Sequence, residues 1–291
     1  MSVHVADRDG RPPFRGNVTI RITAPEPGRF FSTDYPRVEG TELAEFRLPL
    51  DHRGKAEWRY LFPIRGEYAV VVAAESNDGK RGAELFRLRI PENREKWVLA
   101  GVFSAGLFLL GIAAGRLFTA TGAESTGALA VAVLAASACL LGSISSRASA
   151  QEGGKPAGRL EVGPAEVGRP ASIQWRALPE AGEPREAELS LGITHEEKRK
   201  TVFSIEKVRV PGSFSMKLQF PDGAIYRVTA QALFPDGSSF RSERTVAVSA
   251  ADPPAGARLR AVLFFLGWTA AGLAAGRWSR KAWPRPSDRG Q

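Results

Sequence analysis

Apolar and polar positions along this chain follow two alternating regimes. In residues 1–96 and again in 148–258, large apolar residues recur at every second position over short stretches. The first region has Phe46-Leu48-Leu50, Trp58-Tyr60-Phe62, Tyr68-Val70-Val72 and Phe86-Leu88-Ile90. The second has Leu189-Leu191-Ile193, Phe214-Met216-Leu218-Phe220, Tyr226-Val228-Ala230 and Val246-Val248. Period-two alternation turns one face of a strand to a core and the other to water. Six or seven short strands per region, broken by Gly, Pro and Asp-Gly turns, predict an Ig-like all-β sandwich in each.

Three apolar blocks interrupt this pattern. Trp97 to Phe118 (WVLAGVFSAGLFLLGIAAGRLF) carries one charge, Arg116, near its end; Ala128 to Ile144 carries none; Ala261 to Gly276 is flanked by Arg258 and Arg260 before it and Arg277 after it. At ~1.5 Å per residue such blocks approach the ~30 Å of a hydrocarbon core. They are apolar all round, without the stripe of a soluble core helix, so the expectation is three transmembrane α-helices. Trp97, Arg116, Arg277 and Trp278 mark membrane boundaries, where indole rings and snorkelling arginines prefer the headgroups. The chain then divides into a sandwich at 1–93, spans at 97–118 and 128–145, a linker at 146–158, a second sandwich at 159–250, a third span at 259–278 and a basic tail at 279–291.

The two β regions repeat one another. FPIRGEYAVVVAAESNDG (Phe62 to Gly79) and FPDGAIYRVTAQALFPDG (Phe220 to Gly237) share Phe-Pro, then Tyr (Tyr68, Tyr226), then Asp-Gly, at the same spacings. Each region continues into an apolar helix ending in GIAAGR (Gly111 to Arg116) or GLAAGR (Gly272 to Arg277). Matches in this shared order indicate duplication of a sandwich-plus-helix unit. Within the hexapeptides, Gly111 and Gly115, and Gly272 and Gly276, fall on one helix face, the pattern that lets helix backbones approach closely in lipid. Two readings stand: the faces pack the chain's own helices together, or they dock a partner's transmembrane helix.

Charge refines the picture. The net charge is +9, which would admit a nucleic-acid partner. Yet residues 1–96 hold 17 Lys and Arg against 15 Asp and Glu, and residues 148–258 hold 15 against 14. The excess lies beside the apolar blocks, at Arg116, Arg147, Arg260, Arg277, Arg280, Lys281, Arg285 and Arg289. That distribution speaks for lipid headgroups and against nucleic acid. The tail RWSRKAWPRPSDRGQ favours the cytoplasm, which puts both β regions on the outer face of a bacterial cytoplasmic membrane. MSVHVADRDG lacks an apolar leader, so either the first span carries its domain across or the true start lies upstream of Met1.

Candidate chemistry is sparse. A single cysteine, Cys139, excludes an internal disulfide. His4, His52, His195, Met216 and Cys139 are the ligand-type side chains for a soft metal, and a copper site needs two to four of them converging. His195 is the one nominated ligand, with Met216 as its conceivable companion on an adjacent strand; no resident cofactor is expected. No Gly-x-Ser-x-Gly elbow or phosphate loop occurs, so the chain is not expected to be an enzyme.

The run Thr194-His195-Glu196 followed by PGSFSMKLQFPDGAIYRVTAQALFPDG (Pro211 to Gly237) resembles the FixH/YtkA-like group of bacterial membrane-associated β-sandwich domains. The first region repeats it more loosely. The resemblance implies a place in copper handling or the assembly of respiratory oxidases. The expected function is therefore a non-enzymatic membrane subunit or assembly factor, partnered by lipid and by other membrane subunits; the alternative is a copper-delivery protein.

Overall fold

The structure, a computed structural model, describes residues 1–5, 16–27, 35–91, 94–118, 158–177, 186–252 and 254–282. The described residues fall into two units: the β strands of both regions form one, and the helices form the other. The expected span at 128–145 and the linker lie outside the described residues.

The first region contributes β1 (Ser2–His4), β2 (Gly16–Thr23), β3 (Glu42–Pro49), β4 (Lys55–Glu57), β5 (Arg59–Tyr60), β6 (Gly66–Ser76) and β7 (Arg81–Ile90). The second contributes β8 (Gly158–Val162), β9 (Pro170–Ala177), β10 (Glu186–His195), β11 (Lys200–Pro211), β12 (Ser213–Gln219), β13 (Ile225–Leu233) and β14 (Ser239–Ala247). The helices are α1 (Arg94–Phe118) and α2 (Ala255–Ala282).

The duplication holds at the level of strand register. Ile20 on β2 pairs with Phe46 on β3 and Val72 on β6. Leu191 on β10 pairs with Ile205 on β11 and Ala230 on β13. Val72 and Ala230 stand at the same distance beyond Tyr68 and Tyr226. The order β7-β6-β2-β3 in the first copy is thus matched by β14-β13-β10-β11 in the second. The opposing strands match as well: β1 against β4, and β9 against β12, with Val3 facing Ala56 as Trp175 faces Phe214. Local chemistry explains the match. Phe62 packs edge-on against Tyr68 with ring centroids 4.6 Å apart, and Phe220 lies at 4.6 Å from Tyr226. Gly79 (φ +80°) and Gly237 (φ +82°) close the following hairpins in a left-handed conformation that a side chain resists.

The copies do not close as two separate sandwiches. β3 continues through β12 into β9 and β8, giving a seven-stranded sheet, and β11 continues into β5, giving a five-stranded one. One hydrophobic core runs through both, with Trp175, Tyr68, Tyr226, Phe46, Phe203 and Phe220 fully buried. Phe46 from the larger sheet meets Phe203 from the smaller at 5.1 Å. The architecture is sandwich-like and shared between the copies.

Strand β7 departs from its sequence pattern. Phe86-Leu88-Ile90 alternates as a core face should, and Leu88 and Ile90 pack partly against the core, yet Phe86 is 46% exposed. β7 ends the larger sheet, pairing only with β6 among the described strands. Periodicity shows that a face is apolar; it does not show that a layer covers it.

Truncation should separate these environments. Leu191→Ala is expected to cost about 2–5 kcal/mol through lost burial and a cavity. Phe86→Ala should stay within about 0.5 kcal/mol, as for an exposed position. Denaturant unfolding of the purified chain measures both, and equal losses would contradict the exposure of β7.

Candidate functional site

Two groups of residues stand out from the fold: a glycine seam between the helices and a polar cluster in the second copy. Both helices are long and apolar enough to cross a membrane, over Trp97–Arg116 (mean hydropathy 2.1) and Arg258–Ser279 (1.5).

The helices meet along the repeated hexapeptides. A Cβ placed on Gly111 would stand 2.7 Å from the Thr269 carbonyl oxygen and 3.0 Å from the Gly272 Cα. One on Gly272 would strike the Phe108 carbonyl and lie 3.0 Å from the Gly111 Cα. Gly115 meets the Leu273 carbonyl, and Gly276 meets that of Ile112. These distances leave no room for a side chain, so the backbones themselves form the contact. The contacts are reciprocal and run in the same order along both helices: the pair is parallel, with equivalent residues facing. Phe103 against Phe265 (5.6 Å) and Phe108 against Trp268 (6.0 Å) continue the seam toward the N-terminal ends. At the other end Arg116 Nε donates to Ser279 Oγ at 3.2 Å.

The polar cluster surrounds Asp222, in the turn between β12 and β13. Tyr226 donates its hydroxyl to Asp222 Oδ1, and Lys198 Nζ lies 2.5 Å from Oδ2. His195 Nε2 stands 3.4 Å from the same oxygen, while its Nδ1 accepts the Lys198 backbone N–H at 3.3 Å. The His195 ring is 4% exposed and leans on Tyr226 at 4.9 Å. In the first copy the equivalent tyrosine hydroxyl donates to the Ile64 carbonyl and accepts the Ile64 N–H at 3.0 Å, the backbone anchorage typical of a tyrosine corner. In the second copy the carboxylate of Asp222 takes the place of the carbonyl acceptor, while a backbone hydrogen bond at the same residue remains.

Burial pushes the Asp222 carboxyl up, but the hydrogen bonds from Lys198 and Tyr226, with the nearby charge of Lys198, outweigh it and hold the group below the usual carboxylate range. Burial, then the Asp222 carboxylate, drives the Tyr226 phenol well above its ordinary value. In the first copy burial pushes the Tyr68 phenol up to about 12. A carboxylate served by an ammonium and a phenol, beside an imidazole, is an anchored charge rather than a proton acceptor held ready.

The sequence-nominated residues are distributed as follows. Gly111, Gly115, Gly272 and Gly276 come together in the seam. Trp97 and Trp278 are exposed near opposite ends of their helices, at 57% and 76%. Arg116 lies in the last turn of α1, and Arg277 lies five residues before the end of α2. His195 sits in the Asp222 cluster with both ring nitrogens engaged. Met216, its conceivable companion, is buried on β12 in the larger sheet, whereas His195 is on β10 in the smaller, so the two are not on adjacent strands. Among the described residues no three His, Cys, Asp or Glu side chains group as a metal site. Lys198 and Asp222 escaped sequence reasoning; the Asp between Phe-Pro and Gly, absent from the first copy's FPIRG, was the available signal.

The chain matches no protein family and no curated protein. Among solved structures it is similar to murine CRIg, at 14% identity over 33% of this chain and 98% of that one, with a TM-score of 0.24. So low a score carries no weight beside the strand registers above.

Two outcomes follow from the geometry. Gly111→Leu and Gly272→Leu should each weaken the helix pair by about 1–3 kcal/mol through overpacking, read as a lower thermal midpoint in detergent; Leu109→Ile, at a position 63% exposed, should leave it unchanged. Asp222 is the stronger acid when folded, so its contribution is present at neutral pH and lost as pH falls through that lowered value. Urea unfolding of Asp222→Asn should therefore show reduced stability at pH 7, by about 1.5–3 kcal/mol for charged hydrogen bonds, and a shallower fall below pH ~4 than the unaltered chain. Parallel acid profiles would remove the carboxylate from this role.

Proposed function

We propose that this chain is a non-enzymatic, membrane-anchored subunit or assembly factor that holds its β unit on the outer face of a bacterial cytoplasmic membrane for a larger membrane complex. The observation that carries this reading is the parallel, glycine-sealed helix pair, each helix following directly on a strand of one β unit.

Connectivity supports the membrane topology. β7 ends at Ile90 and α1 begins at Arg94; β14 ends at Ala247 and α2 begins at Ala255. Two parallel spans entered from the same side need the chain to return between them, an odd number of crossings. Ala128 to Ile144, apolar and uncharged, is the segment suited to that return. The glycine faces are filled by one another, which favours internal packing over docking of a partner helix and leaves the β unit as the part offered to partners. Arg280, Lys281, Arg285 and Arg289 follow the last span and favour a cytoplasmic tail. The resemblance of Thr194-His195-Glu196 and Pro211 to Gly237 to FixH/YtkA-like domains directs the proposal toward respiratory oxidase assembly.

Reporter fusions test the topology: a fusion at Gln291 should report from the cytoplasm and one at Lys155 from the outside. A cytoplasmic signal at Lys155 would overturn the outer placement. Purification from the native membrane in mild detergent should bring unlike membrane subunits in stoichiometric amounts; recovery of the chain alone would contradict the subunit reading.

A further inference from the structure

We infer that the chain is a fused two-fold pair, in which each sandwich–helix half carries a surface that fits a second such half, and that the halves have diverged to prefer the unlike partner. The β unit and the helix unit support this independently.

In the β unit, two strands of each half, β3 and β5 of the first and β11 and β12 of the second, pair with strands of the other. β3 of the first half pairs with β12 of the second, Ala44 facing Leu218 and Glu45 facing Lys217. β11 of the second half pairs with β5 of the first, Phe203 facing Tyr60 and Ser204 facing Arg59. The registers set by Tyr68 and Tyr226 make Arg59 the equivalent of Lys217 and Tyr60 that of Leu218. The two ladders are therefore one contact made twice, as at the isologous interface of a two-fold dimer. A cation at the equivalent place meets a carboxylate in each ladder, though from different positions: Lys217 pairs with Glu45 at 2.8 Å, and Arg59 stands 3.7 Å from Glu206. In the helix unit, Gly111 against Gly272 repeats the same reciprocity.

Divergence supplies the preference. Phe46 of the first half touches Phe203 of the second at 5.1 Å, while their equivalents are Ile205 and Ala44. The large pair on one side of the pseudo-axis is balanced by a smaller one on the other. Two second halves would set Phe203 against Ile205 twice, overfilling the core; two first halves would set Phe46 against Ala44 twice, leaving gaps. Lys217 would also lose Glu45 and face Ser204. Unlike pairing is favoured by what like pairing forfeits.

The test divides the chain where the halves join. Residues 1–150 and 151–291 are co-expressed as separate chains, the second in two differently tagged forms. Capture of one tag from mild detergent should recover the first half in equal amount and less than a tenth as much of the other tagged second half. Recovery of both second halves together at the level of the first would overturn the preference. Where a separate half does not accumulate, the full chain with a protease site between Gly153 and Gly154 decides: after cleavage the fragments should elute together, and Gly111→Leu with Phe203→Ala should let them separate. Separation of the fragments of the otherwise unaltered chain would overturn the inference.

Discussion

An open sheet edge presents unpaired N–H and C=O groups that some other strand has to satisfy. In this protein each copy of a duplicated unit closes the edges of the other, β3 through β12 and β11 through β5. The rest of the β unit depends on those joins. They extend strands of the two halves into a seven-stranded and a five-stranded sheet beside the separate β1-β4 pair, place Phe46 and Phe203 in one core, and bring Glu45 between Arg21 (2.7 Å) and Lys217 (2.8 Å). Hydrogen bonds from Lys217 and then Arg21 hold that carboxyl below its usual range. The outer strands β7, β8 and β14 stay at the ends of these sheets, whereas β3, β12, β11 and β5 each find a partner in the other half.

The two helices are long and apolar enough to cross a membrane, and they meet through close packing of backbones, which Gly111, Gly115, Gly272 and Gly276 permit. Covalent linkage then converts the pairing of halves into an intramolecular event at high effective concentration. Duplicates held together in this way are free to diverge. The clearest divergence is at the tyrosine corner: Tyr68 keeps its backbone partner at Ile64, while Tyr226 answers to Asp222, with Lys198 and His195 gathered around it. This polar cluster has no counterpart in the first half, where Ile64 occupies the position of Asp222.

Much of this was legible in the sequence, and the reasons differ by element. The shared Phe-Pro, Tyr and Asp-Gly positions are local turn and corner chemistry, and local chemistry survives duplication in readable form. The glycine seam was legible because small residues four apart have few other uses in an apolar helix. The joins between copies were not. Ala44, Leu218, Phe203 and Tyr60 alternate like any buried strand residues, and nothing local says which edge they will meet. β7 misled in part: Leu88 and Ile90 pack against the core as their alternation suggests, while Phe86 on the same face is exposed. His195 drew attention as a ligand type, whereas Asp222, which organises its surroundings, looked like a turn residue.

The reciprocal joins are the central claim, and paired cysteines report on them directly. In a Cys139→Ser background, Ala44→Cys with Leu218→Cys, and separately Tyr60→Cys with Phe203→Cys, place two thiols on facing antiparallel positions about 4.5–5.5 Å apart at Cα, within disulfide reach. Mild oxidation in the membrane, read as a mobility shift, should cross-link both pairs to high yield, and should leave Ala44→Cys with Phe86→Cys unlinked. Failure of both facing pairs in folded protein would mean that the halves do not close one another's edges.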